Sequence, residues 1–203
     1  MLFLAFTLGF SSSYLGTIAP SMLNITATKI SIEKNKKTAI NFCIGVALIV
    51  LIQCYLALIL LKRIQANLHI LESIQSVSIV IFTVLSLVFL RIAIRDKQEK
   101  TPKKTKTSGL FTGIGLSIVN MFSIPFYCGV GLAFRMSGWL SLELDSIIFF
   151  VVGSAMGTFT ILYHYVLLAE KIKPRLTKIT TYLNYFLAGV TGLAALVSFL
   201  KLL

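Results

Sequence analysis

The chain has 203 residues, 57% of them hydrophobic and only 13% charged, where a soluble domain usually carries about 25% charged residues. With a mean hydropathy of +0.90, this composition excludes a disordered chain, a disulfide-dense secreted module and an ordinary water-soluble enzyme. Nineteen Lys and Arg against seven Asp and Glu leave a net charge of +12, which calls for an anionic partner, either nucleic acid or a membrane surface.

In chain order, six apolar runs each approach the roughly 20 residues that a helix needs to cross a bilayer. They cover residues 2–25, 39–61, 70–94, 110–134, 147–168 and 182–202. The connections between them are short and leave no room for a soluble catalytic domain. Run one has no basic residue ahead of it and contains Ser11, Ser12, Ser13, Thr17, Pro20 and Asn24. It reads as a retained, irregular helix rather than a secretory leader. The runs are too long for strands and lack period-two alternation, which excludes a transmembrane barrel. The expected fold is an all-α integral membrane protein with six transmembrane helices.

Position sorts the charges. Lys29, Lys34, Lys36 and Lys37 follow run one; Arg91, Arg95, Lys97, Lys100, Lys103, Lys104 and Lys106 follow run three; Lys171, Lys173, Arg175 and Lys178 follow run five. Lys62, Arg63, Arg135 and Lys201 belong to the opposite face. The positive-inside rule then makes the three basic loops cytoplasmic and leaves both termini outside. These loops have few aromatics for stacking on bases, so anionic headgroups of the lipid bilayer, and no nucleic acid, are the expected partners.

The most basic stretch, residues 95–107, falls near the midpoint. It divides the chain into a three-helix repeat over 1–94, a basic cytoplasmic linker over 95–107 and a second three-helix repeat over 108–203. An odd number of spans per repeat makes the two repeats inverted. Two of the four prolines, Pro20 and Pro125, sit inside runs one and four, the first run of each half. A proline removes a backbone donor and frees the carbonyl four residues earlier. Paired, interrupted helices at matching positions of inverted repeats point to a transporter's midplane site. A kink that serves packing alone is the competing reading for each proline taken singly. The candidate substrate-binding residues are Pro20, Ser21, Asn120, Ser123 and Pro125.

These residues are where the chain resembles the lysine-exporter (LysE/RhtB-type) family of six-span inner-membrane amino-acid exporters. Ala19-Pro20 is similar to the start of that family's Ala-Pro-Gly-Pro signature, with Ser21 and Met22 in place of its Gly and second Pro. Lys36-Lys37-Thr38-Ala39 leads into a run containing Gly45. Residues Gly113 to Asn120 resemble the family's glycine-rich approach to Asn-Pro, with the proline displaced to Pro125. Gly153 and Gly157 in run five, and Asn184 and Gly189 in run six, also follow the family manner. The resemblance implies export of amino acids or similar small polar metabolites by alternating access across a bacterial cytoplasmic membrane. Where such exporters often carry an acidic residue in the second span, this chain has only Asn41 and Gln53.

The remaining chemistry is sparse. His164, between Tyr163 and Tyr165, is the candidate proton relay, since its reference pKa near 6.5 suits that role; an interfacial histidine in an aromatic belt is the plainer reading. Cys43 and Cys54 are about 16 Å apart along one helix and cannot pair. No Cys/His cluster suggests a metal, and no glycine-rich phosphate loop suggests ATP coupling. The expectation is therefore a protein with no cofactor that is not an enzyme. Gly109/Gly113 and Gly153/Gly157 are GxxxG pairs, for close packing within the chain or for a homodimer seam. Trp139 reads as an interfacial anchor. The alternative to a transporter is a non-transporting membrane assembly or regulatory subunit with the same fold.

Overall fold

The computed structural model describes residues 1–18, 21–65, 87, 91, 108–120, 122–171 and 189. Among these, every regular element is a helix. They are α1 (Leu2–Thr17), α2 (Met22–Glu33), α3 (Lys36–Gln65), α4 (Gly109–Val119), α5 (Ser123–Met136) and α6 (Leu144–Leu167). Residues 1–63 and 106–174 form one compact unit, and residues 64–105 and 175–203 a second. Runs three and six, and the linker 95–107, belong to the second unit or its edge. Apart from Leu87, Arg91 and Gly189 they lie outside the described residues.

Two helices are long and apolar enough to cross a membrane by themselves, α3 with 30 residues and α6 with 24. At 1.5 Å per residue they measure about 45 Å and 36 Å, against a hydrocarbon core of about 30 Å. The Asn35 side chain starts α3 by accepting a hydrogen bond from the Thr38 N–H at 2.8 Å, which satisfies one of the helix's free donors. Both helices leave large apolar side chains uncovered: Leu48, Ile52 and Leu56 on α3, Ile148, Val152 and Met156 on α6. An apolar exterior on a chain with so little charge is the surface of a membrane protein.

Runs one and four are each divided into two helices. α1 and α2 meet at 76°, α4 and α5 at 67°. None of the four, at 16, 12, 11 and 14 residues, is long enough to span alone, but each pair together has the length and apolar composition of one broken span or of a re-entrant loop. With both pairs counted, four spans are accounted for. Run one also continues further than its apolar residues suggest. Lys29 lies within α2, which ends only at Glu33, so that the charge expected in a connection is carried on a helix.

The broken and unbroken helices pack crosswise in the chain. α1 lies along α6, and α4 lies along α3. A Cβ on Gly153 would strike the carbonyl of Phe6, and one on Gly157 the carbonyl of Phe10. In the other seam, Gly109 faces the carbonyl of Thr38, Gly113 that of Phe42, and Gly45 that of Leu110. Only glycine permits backbones this close. Residue numbers rise together along each seam, so both pairs are parallel. Both GxxxG pairs are thus occupied by contacts inside one chain.

α5 runs beside the end of α3, where Gly131 faces Leu58 and Leu61. It ends in Gly138 with φ +73°, a left-handed position natural to glycine. The N–H of Gly138 reaches the Arg135 carbonyl and that of Trp139 the Phe134 carbonyl, at 3.1 and 2.9 Å. Trp139 remains 56% exposed and stacks on Phe134. The core of this unit is made by Phe42, Val46, Leu58, Ile147, Phe150 and Leu162, all fully buried.

Candidate functional site

Each break leaves helix-terminal carbonyls that no further turn of helix can satisfy. At the first break, α1 ends with Thr17 and Ile18. The Asn24 side-chain amide donates to the Thr17 carbonyl at 2.7 Å. The Tyr165 hydroxyl, from α6, donates to the Ile18 carbonyl at 2.8 Å. Asn24 is 0% exposed, and its side-chain oxygen accepts from the Ser21 hydroxyl at 3.2 Å. Ser21, the residue before α2, is itself exposed. Pro20 lies outside the described residues.

At the second break, α4 ends at Asn120, whose backbone departs from helical geometry at φ −74°, ψ 77°. The Gln53 side chain, from α3, donates to the Ser117 carbonyl at 3.0 Å and, at 3.5 Å, to the Asn120 carbonyl. Asn120 donates from its side chain to the Ser123 hydroxyl at 3.3 Å. The break therefore precedes Pro125. Ser123 begins α5, which puts Pro125 in the first turn, where a backbone N–H has no intrahelical partner to lose. The proline starts the second helix rather than kinking a continuous one.

The two breaks share a construction. On α6, Tyr165 stands eight residues after Gly157; on α3, Gln53 stands eight residues after Gly45. In each case a glycine admits the broken helix and the donor two turns later reaches its end. They differ in what is left over. Gln53 is 7% and Ser117 0% exposed, yet Gln53 Oε1 and Ser117 Oγ have no hydrogen-bond partner. A buried polar atom in that state costs about 1–3 kcal/mol. Thr158 Oγ1 is also without one, although Thr158 lies beside the Tyr127 hydroxyl.

Between the breaks runs a buried polar seam. The Ser13 and Tyr127 hydroxyls are 2.7 Å apart, joining α1 to α5. Cys54 donates to Ser154 at 3.6 Å, and Ser154 to the Gly9 carbonyl at 3.3 Å, joining α3, α6 and α1. All three cysteines are free. Gly16 near the end of α1 faces the Phe126 ring in the first turn of α5, so the two breaks approach one another.

Of the residues singled out from the sequence, the structure brings Asn120 and Ser123 together with Pro125 beside them, and sets Ser21 on Asn24. His164 stands elsewhere. Its Nδ1 is 3.4 Å from the Tyr14 hydroxyl, with the rings edge-on at 6.0 Å, and none of Ser21, Asn120, Ser123 or Pro125 is its partner. Gln53, Ser117, Asn24 and Tyr165 were not among the candidates. Gln53 and Asn24 carried a signal, because each is an amide within an apolar run. Ser117 and Tyr165 carried none, since serine and tyrosine are ordinary in membrane helices. Compared with known proteins, the chain matches no family model, no curated protein and no solved structure.

Proposed function

We propose that this chain is a secondary transporter that exports amino acids or similar small polar metabolites across the cytoplasmic membrane by alternating access, as its resemblance to the lysine exporters implies. The observation that carries the reading is the two bent helix pairs, whose first helices, α1 and α4, each lie in a glycine seam against an unbroken helix from the other half of the sequence. That reciprocity supports two inverted repeats, and with them a rocking motion around the breaks. The basic ends support a cytoplasmic orientation for the loops that hold Lys34–Lys37 and Lys171. Ser21, Asn120, Ser123, Pro20 and Pro125 remain the substrate-facing set in this reading, with His164 paired to Tyr14 as the candidate proton relay.

One observation favours a non-transporting assembly or regulatory subunit instead. The carbonyls of Thr17, Ile18 and Ser117 already accept from the chain's own side chains, as they would in a static scaffold. Export from cells separates the two. Cells expressing the wild type, loaded with a panel of labelled amino acids, are expected to lose at least one of them faster than cells without it. Asn120→Ala should cut that efflux at least tenfold. No efflux of any panel member from the wild type would favour the subunit; equal efflux from both would remove Asn120 from the site.

A further inference from the structure

We infer that the α4–α5 break is a binding site for a primary ammonium group, which Gln53 Oε1 and Ser117 Oγ accept. The inference deepens the transporter reading and rests on it for the passage of the ligand. Both oxygens are buried and unpartnered, and they belong to adjoining residues, because the Gln53 side-chain nitrogen lies 3.0 Å from Ser117's own carbonyl. An amide oxygen only accepts, so its missing partner is a donor. The Gln53 nitrogen is already committed to the Ser117 carbonyl at 3.0 Å, which holds the oxygen in place.

The surroundings select a cation among donors. The site is the C-terminal end of α4, where aligned peptide dipoles place partial negative charge. The Asn120 carbonyl accepts only long bonds, from Gln53 and from the Ser123 N–H, both at 3.5 Å. An ammonium that displaced one of these long contacts would gain this carbonyl as a third acceptor for its three hydrogens. The described acidic residues, Glu33, Glu143, Asp145 and Glu170, are at helix ends or beyond. The ammonium is therefore held by neutral oxygens, and such binding is readily released. The first break is not equivalent. Its two terminal carbonyls are taken by Asn24 and Tyr165, and the Asn24 oxygen accepts from Ser21.

The test uses the full chain in detergent micelles, with its unfolding temperature followed against added probe. The probes are L-alanine and ethylammonium, their amine-free counterparts L-lactate and ethanol, and sodium chloride at matched ionic strength. Both amines are expected to raise Tm by several degrees and the other three not to do so. Ser117→Ala removes an unpartnered hydroxyl, so it should raise the Tm of the empty protein while weakening the apparent affinity for both amines roughly tenfold, as expected for one lost hydrogen bond to a charged group. Gln53→Leu should weaken it further. Equal shifts with L-lactate and L-alanine, a shift with sodium alone, no shift with any probe, or an amine response unchanged by Ser117→Ala each overturns the inference. Amine-dependent stabilisation without efflux from cells would leave the site standing and refute the transporter; efflux untouched by Ser117→Ala would do the reverse.

Discussion

Asn24 and Gln53 carry the same amide and do the same work at opposite breaks, but their remaining atoms have different fates. Asn24 spends its nitrogen on the Thr17 carbonyl and its oxygen on Ser21, whereas Gln53 has an oxygen to spare. Removing Asn24 strands a carbonyl in the interior. Asn24→Ala is expected to destabilise the protein by about 1–3 kcal/mol, read from denaturant unfolding in micelles. Asn41→Ala, at an exposed position of α3, should stay within about 0.5 kcal/mol. Comparable losses from both would mean that the Asn24 bond contributes nothing of its own. The sequence marked both asparagines and Gln53 as polar residues in apolar runs, but not which would be buried. That depends on which side of each helix faces another helix, and in apolar runs this long every side looks alike.

At the scale of elements, the glycines separate into those that admit a neighbouring backbone and those that do not. A methyl group at Gly153 or Gly113 would enter the carbonyl of Phe6 or Phe42, whereas one at Gly129 or Gly115 meets nothing within 4 Å. Gly153→Ala and Gly113→Ala should each cost about 1–3 kcal/mol by forcing the seams apart. Gly129→Ala should instead gain up to about 1 kcal/mol from helix propensity. Thermal unfolding of the three variants in one detergent checks both signs. The GxxxG spacing was legible beforehand, and so was the pair of breaks. Their exact form was not, because a proline can equally end a helix, kink it or begin the next. At Pro125 the last is the case, since Asn120 and Ser123 close the preceding turn.

For the whole molecule, the seams bring the charges together. Gly109 faces Thr38 at the start of α3, and the Ser31 hydroxyl donates to the Val166 carbonyl at 3.1 Å. The starts of α3 and α4 and the ends of α2 and α6 therefore share one end of the unit, with Lys34, Lys36, Lys37 and Lys171. Lys62, Arg63 and Arg135 are at the far ends of α3 and α5. Cysteines introduced at Lys37 and at Ser137 are expected to react with a membrane-impermeant reagent from opposite sides, Lys37→Cys from the cytoplasm only. Labelling of both from one side would overturn the broken-span topology and with it the orientation inferred from charge.

Composition and run length by themselves determined that this is a helical membrane protein, because a chain with 13% charged residues cannot cover its own surface for water. The sites of the two interruptions and the imbalance of charge along the chain are likewise matters of local chemistry, readable one residue at a time. Only the tertiary structure decided that α1 pairs with α6 and α4 with α3, and that Tyr165 and Gln53 reach across to the ends of the broken helices. It also decided that one break is closed while the other keeps two buried oxygens without partners. These are facts about pairs of residues up to 147 positions apart. No local pattern encodes them, because lipid and protein interior are equally apolar and the partner of each helix is chosen by shape.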